Sequence, residues 1–198
     1  MRPPAYRYEP RPGDQQAEPR RFFVSGYGGL SMRLGTLAGR TATYTGIRGG
    51  LMFGRRFSIG GAFYGLRNRF GPPIRDLDGN RMMLDVAYGG LTLGVTVALW
   101  KWGELEIKGL IGGGNACIGY VRAAINDLPR GCVERVGLMA FEPAATLYLI
   151  AAPWIRFGVE AGYRFVGRYR WSAPNHFHLS GPYGGLMAEF GWFKKPRR

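Results

Sequence analysis

The sequence predicts an all-β fold: an eight-stranded antiparallel up-and-down transmembrane β-barrel with a disordered N-terminal tail. Three observations lead to this prediction. Apolar and polar residues alternate with a period of two over many stretches. Glycine, with 33 of the 198 residues, interrupts almost every window that could form a helix. The connections between the alternating stretches are tight at one end and mostly long at the other, as in barrels that cross a membrane.

Composition excludes several other classes of protein. A chain with 46% hydrophobic and 14% aromatic residues is too apolar to be disordered. The glycines follow no G-X-Y period, so the chain is not collagen-like. Two cysteines rule out a dense disulfide scaffold and a four-thiolate zinc site. No run of about 18 apolar residues is present, which excludes a transmembrane helix but not membrane-crossing strands.

The alternation divides the chain into strands and connections. It is clearest over 155–169 and 91–99, where apolar side chains fall on one face. The fourth strand changes phase near Gly89 and Gly90, which indicates a bulge. Tight connections fall at 54–56, 100–103 and 152–154; long ones cover 67–81, 122–137 and 170–182, and that at 35–40 is of intermediate length. The predicted strands are 22–33, 41–54, 57–68, 82–99, 104–122, 138–152, 154–169 and 183–193.

Charged residues on the polar faces would point into the lumen if the apolar faces contact lipid. An eight-stranded barrel is just wide enough for side chains to fill it, so these charges must pair. Inward glycines leave room for long side chains. A pore or proton path is one interpretation, but this strand number favours a solid ionic plug. The predicted lumen charges are Arg48, Glu106, Lys108, Glu142, Arg156, Glu160, Arg164 and Glu189.

Aromatic residues collect at the end with tight turns. Indole rings prefer the headgroup level of a membrane, where one edge is wet and the body is apolar. The predicted aromatic belt comprises Trp100, Trp102, Trp154, Trp192 and Phe193. The alternative is that these residues cap the core of a soluble protein. Surface tryptophans would then favour aggregation, so the membrane interpretation is preferred.

The net charge of +14 predicts attraction to phosphate, and 23 of the 27 bases are arginine. Arginines border the long connections, where they could contact lipid phosphates such as those of lipopolysaccharide. The alternative is a solvated set of loop charges. The candidates for lipid-phosphate contact are Arg67, Arg69, Arg122, Arg168 and Arg170.

Two cysteines, Cys117 and Cys132, flank the third long connection. In an oxidising envelope they could form a disulfide that contributes roughly 3 kcal/mol by loop-closure entropy. In a reducing cytosol they would remain ordinary thiols.

Residues 141–165 and the closing stretch YGGLMAEFGWF (183–193) resemble the small eight-stranded outer-membrane barrels of the OmpA/OmpX type. The closing stretch ends in alternating aromatics, as in that family, but the KKPRR that follows departs from it. The resemblance implies a bacterial outer-membrane location and a structural or surface-interaction role. The predicted organisation is a Pro/Arg-rich flexible tail (1–21), a barrel (22–193) and a basic C-terminal tail (194–198). The first 21 residues lack the apolar segment of a signal peptide, so a removed or upstream signal is expected.

One short motif suggests chemistry. His178 and Ser180 form an H-x-S pair similar to that of the outer-membrane lipid A 3-O-deacylases, which implies a His base and a Ser nucleophile. Gly181 stands where that family has Asn, and Glu189 would have to be the supporting acid. Two histidines, His176 and His178, do not make a metal site, and no phosphate-binding loop is present, so no metal or cofactor is predicted.

Three functions stay open at this point. The preferred one is a structural or surface-interacting outer-membrane barrel whose partner is membrane lipid. The second is the same barrel with a lipid A deacylase-like esterase site. The third is a soluble basic β-protein that binds nucleic acid through Arg and stacked aromatics. Because Arg and aromatic residues segregate to opposite strand faces, nucleic acid is not the predicted partner. The oligomeric state stays open.

Overall fold

The computed structural model describes residues 24–37, 39–54, 56–67, 82–120, 132–167 and 179–193. The predicted tails, 1–21 and 194–198, lie outside these ranges. The strands are β1 (Val24–Leu37), β2 (Arg40–Phe53), β3 (Phe57–Leu66), β4 (Met82–Trp100), β5 (Gly103–Tyr120), β6 (Cys132–Ala152), β7 (Ile155–Gly167) and β8 (Gly181–Gly191).

The eight strands form one closed antiparallel barrel in which each strand pairs with its neighbours in sequence. Pairing of β1 with β8, from Tyr27 opposite Gly191 to Gly35 opposite Tyr183, closes the barrel. This topology confirms the predicted fold. Closure gives the backbone N–H and C=O groups of every strand edge a hydrogen-bond partner, which a sheet needs in order to cross a bilayer. The described ranges contain no helix that is long and apolar enough to span a membrane.

Side chains alternate between the inside and the outside of the barrel. In β7, Arg156 and Glu160 are buried, whereas Phe157 and Val159 are exposed. The exposed face is apolar over most of its height. Its most exposed large side chains, each at least 59% accessible, are Leu30, Ile47, Phe57, Leu91, Ile107, Ile111, Val159 and Leu186. A soluble protein buries such a surface, and an apolar belt around a barrel is the surface that hydrocarbon chains cover.

The structure corrects four details of the predicted strands. β1 continues to Leu37, so the first connection is tight rather than intermediate in length. β6 begins at Cys132 rather than 138, because 132 and 134–137 pair with β5 and shorten the predicted 122–137 connection. No phase change occurs near Gly89, since Leu84 and Tyr88 lie inside on the same face as Thr92. The register shift in the β4–β5 pair falls between Ala98 and Trp100 instead.

Two pairs of inward glycines face each other across neighbouring strands, Gly50 opposite Gly60 and Gly90 opposite Gly112. A Cβ on Gly112 would meet the carbonyl oxygen of Gly89 and the Cα of Gly90. The strands therefore approach too closely for any side chain here. Glycines of this kind let a narrow sheet curl into a barrel.

We expect Gly112→Ala to lower the free energy of unfolding by about 1–3 kcal/mol, because the methyl group has to displace backbone atoms. Gly65→Ala is the matched control, since a Cβ there has no atom within 4 Å. Urea titration in detergent micelles measures both changes. Equal stability of the two variants would contradict the assigned close approach.

The lumen and the two rims as candidate functional sites

Arg48 is the centre of one charge cluster inside the barrel. Its Nε lies 3.0 Å from Glu189 Oε1 and its Nη2 lies 3.2 Å from Glu106 Oε2. Nη1 donates a hydrogen bond of 3.1 Å to the Tyr148 hydroxyl. Glu106 also accepts a bond of 2.7 Å from Ser58 Oγ. One guanidinium thus joins two carboxylates and a phenol that come from three other strands.

A second cluster lies around Arg33. Its Nη1 is 2.8 Å from Glu142 Oε2, and its Nη2 is 2.6 Å from Glu160 Oε1. The Lys108 ammonium forms an ion pair with Glu160. Tyr88 donates a hydrogen bond of 2.6 Å to the other oxygen of Glu142. Both carboxylates therefore have a cation within reach in a space that excludes bulk water.

The third cluster is built on Arg156, which is completely buried. Its Nη1 lies 3.1 Å from Glu104 Oε2, and its Nη2 lies 2.7 Å from Glu189 Oε2. The guanidinium carbon stands 3.8 Å from the ring centre of Tyr148 and 4.5 Å from that of Phe193. Glu189 links this cluster to that of Arg48.

The structure places all eight predicted lumen charges inside the barrel. Arg164 differs from the others, because it donates hydrogen bonds of 3.1 Å to the carbonyls of Leu179 and Thr36. Two members were missed by the sequence interpretation, Arg33 and Glu104. Five acids and five bases of the described residues therefore share the lumen, so the net charge of +14 belongs to the rest of the chain.

Apolar side chains close both ends of the charged interior. Toward the long-loop end lies a cluster that includes Tyr44, Tyr64, Leu84 and Leu179, each at most 3% exposed. Toward the tight-turn end, Tyr27, Met52 and Phe193 form a smaller cluster. A cavity of about 10 Å³ is lined by Arg33, Thr92, Lys108, Glu142 and Tyr183 among others, and it has room for about one water molecule. Buried side chains therefore surround the charges of the described lumen on both sides.

Four of the five predicted belt residues lie on the outside at the tight-turn rim. Trp100, Trp102, Trp154 and Trp192 are each 45–54% exposed. The prediction for Phe193 is wrong, because this side chain is 2% exposed and lies inside the barrel mouth. Strand alternation is the reason: in β8 the odd-numbered positions face inward, as Glu189 does, and 193 continues that phase.

The long-loop rim carries exposed arginines among the described residues. Arg67 is exposed, and so are Arg40 and Arg135, which lie on β2 and β6. The other four predicted lipid-phosphate contacts, Arg69, Arg122, Arg168 and Arg170, fall outside the described residues. Cys117 and Cys132 form a disulfide, as the sequence predicted. This bond joins the two strands that the connection 121–131 links.

The H-x-S motif receives little support from its surroundings. The Ser180 hydroxyl accepts a hydrogen bond of 2.9 Å from the Val166 amide, and His178 lies outside the described residues. Glu189 cannot be the supporting acid, because it is buried in ion pairs with Arg48 and Arg156. It also lies nine residues along an extended strand from Ser180, roughly 30 Å away. The part of the chain that is described contains no cluster of His, Cys, Asp or Glu suited to a metal ion.

A closed eight-stranded barrel with an apolar outer belt, a ring of exposed tryptophans at one rim and its charges inside is a membrane β-barrel. Its fold is that of the small eight-stranded outer-membrane barrels, as solved structures show.

The structure is similar to the crystal structure of Ail, the attachment invasion locus protein of Yersinia pestis, in complex with the heparin analogue sucrose octasulfate. The two are 14% identical with a TM-score of 0.51, over 85% of this chain and 97% of Ail. It is also similar to Neisserial surface protein A, with 9% identity, a TM-score of 0.57, and coverage of 86% and 97%. No protein-family model matches the sequence, and no curated protein does. The similarity therefore establishes the fold.

Proposed function

We propose that the protein is an integral β-barrel of the bacterial outer membrane with a structural or surface-interaction role. The observation that carries this proposal is the filled lumen, in which paired charges and two apolar clusters are buried inside the barrel. Such an interior suits an anchor or scaffold rather than a diffusion pore. The outward apolar belt and the shared fold support the membrane assignment, and the disulfide suits an oxidising envelope.

The long-loop rim is the surface that we assign to interaction with the outer leaflet. Arginine binds phosphate through two parallel hydrogen bonds, so exposed arginines at a membrane surface favour lipopolysaccharide phosphates. Arg67 lies at this rim, and Arg69, Arg122, Arg168 and Arg170 are candidates from the sequence. The Ail structure contains a sulfated sugar, which supports polyanion binding as a property that this fold can carry.

Two measurements on the full chain test the proposal. In planar lipid bilayers we expect no stable conductance steps, because buried side chains occupy the described interior. Reproducible steps would overturn the closed-lumen assignment. In nanodiscs containing lipopolysaccharide, native mass spectrometry counts the lipids that remain bound. Changing the five candidate arginines to Gln should reduce that retention about tenfold or more, since each base near an anionic surface contributes about 1 kcal/mol. Unchanged retention would exclude these arginines as contacts.

A further inference from the structure

Three strands rise above the closed barrel at the long-loop end. Toward that end, pairing between β3 and β4 stops at Gly65 opposite Ala87, and pairing between β6 and β7 stops at Met139 opposite Gly167. Beyond these points β4, β5 and β6 pair only with one another among the described residues. We call this part the raised sheet; it consists of residues 82–86, 115–120 and 132–138. Neither of its two outer edges has a described strand beside it, so fewer hydrogen bonds hold it than hold the barrel below.

The disulfide between Cys117 and Cys132 lies on the outer face of the raised sheet. Cys117 has the outward phase of Ile111 in β5 and is half-buried, whereas Cys132 is exposed. Along β5, Cys117 is fifteen residues from Trp102 at the tight-turn rim, which is roughly 38 Å along the membrane normal for a strand tilted by about 40°. The apolar band of such barrels is only about 25 Å tall. The bond therefore lies beyond the hydrocarbon, where water-soluble molecules reach it.

The inner face of the raised sheet is apolar and buried. Four of its side chains, each at most 5% exposed, belong to the apolar cluster at the long-loop end of the lumen: Leu84, Val86, Ala116 and Leu138. Ala116 is the sequence neighbour of Cys117 and has the opposite phase in β5. The disulfide and the apolar cluster thus lie on the two faces of the same strands. A loss of pairing between β5 and β6 at this height would loosen part of that cluster.

The disulfide is a covalent tie between two strands that contain several glycines. Glycine stands at 119 and 137, and in the run 112–114 just below, and it weakens a strand because it has no side chain to pack. The bond joins residues with a sequence separation of 15. By loop-closure entropy, a disulfide of this span disfavours the open state of the strands roughly a hundredfold. Breaking the bond therefore raises the population of the open state by a similar factor.

We propose that this disulfide is a reversible modification site for small thiols, and that its modification loosens the raised sheet. The thiolate of a molecule such as glutathione or free cysteine attacks the sulfur of Cys132, the more exposed partner. A new S–S bond forms to Cys132, the bond to Cys117 breaks, and Cys117 leaves as a thiolate that takes a proton from water. One disulfide replaces another, so no further oxidant or reductant is needed. Attack by the Cys117 thiolate on the mixed disulfide reverses the step and expels the small thiol.

Glutathione added to the full chain in nanodiscs tests the modification. Millimolar glutathione is the thiol, and a smaller amount of iodoacetamide traps the thiol that it frees. We expect mass spectrometry with peptide mapping to find glutathione on Cys132 and the carbamidomethyl group on Cys117. S-methylglutathione, which has no free thiol, is the matched control and should give neither product. Absence of the adduct on the folded protein, or an adduct on Cys117 instead, would overturn the proposal.

Hydrogen exchange of the trapped adduct tests the loosening. Amides of 115–119 and 132–137 should exchange about a hundredfold faster than in the unmodified protein, whereas those of 104–110, lower in β5, should not change. The double variant Cys117→Ala, Cys132→Ala lacks the bond, so its raised sheet should exchange as fast as that of the adduct, with or without glutathione. Heat-modifiable gel mobility shows that the barrel of each form is folded. Equal exchange in the modified and unmodified proteins would overturn the proposed loosening. These readouts use neither lipopolysaccharide nor conductance, so the proposed function is tested separately.

Discussion

Replacing Arg48 by Met is expected to lower the free energy of unfolding by about 3–5 kcal/mol, because it removes the cation that Glu106 and Glu189 share. Glu189 keeps Arg156 at 2.7 Å, but Glu106 keeps only the neutral donors Ser58 and Tyr148 at hydrogen-bond distance. The loss of the nearest cation from a buried carboxylate is the main cost. Urea titration of the protein refolded in phosphatidylcholine vesicles measures the loss.

The second substitution Glu106→Gln separates this cause from a simple packing defect. In the Arg48→Met background it removes the stranded charge, so we expect the double variant to recover about 1–2 kcal/mol. Arg56→Met is the matched control, since the same chemical change at an exposed turn position should stay within about 0.5 kcal/mol. A double variant that is less stable than Arg48→Met alone would contradict the claim that the charge of Glu106 causes the loss of stability.

Strand number, topology and the inward position of most lumen charges could be predicted from the sequence, because a period of two sorts side chains onto two faces without any knowledge of the fold. The same rule also predicts the inward position of two further residues. Glu104 shares the phase of Glu106, and Phe193 shares that of Glu189. The belt prediction for Phe193 rests on its level beside the rim tryptophans, whereas the alternation of β8 turns its side chain inward.

Other features could not be predicted from local pattern. Leu84 and Tyr88 are apolar and inward, and hydropathy alone does not distinguish a residue that faces lipid from one in an apolar layer of the lumen. The partner of each charge depends on how the strands are staggered around the closed barrel. Arg33 pairs with Glu142 across 109 positions of sequence, a contact that only the closed geometry determines.

The apolar belt leads to the second large effect. Ile107 is 61% exposed on β5 and lies five residues beyond Trp102, which places it roughly 12 Å from the tight-turn rim for a strand tilted by about 40°. That is about half the height of the apolar band of such barrels, so Ile107 lies near the middle of the bilayer. We expect Ile107→Arg to lower the free energy of unfolding in phosphatidylcholine vesicles by about 2–4 kcal/mol.

Asn115→Arg on the same strand and the same outward face is the control. Asn115 is an exposed polar residue eight positions farther along β5, near the opposite interface, where an arginine costs about 0–1 kcal/mol. A difference between the two variants therefore reports depth in hydrocarbon and not the charge itself. If the barrel were instead a soluble protein that binds nucleic acid, arginine at the exposed position 107 would change stability by no more than about 0.5 kcal/mol. Equal stabilities of the two variants would thus contradict the membrane assignment, because water solvates an added charge equally well at either position.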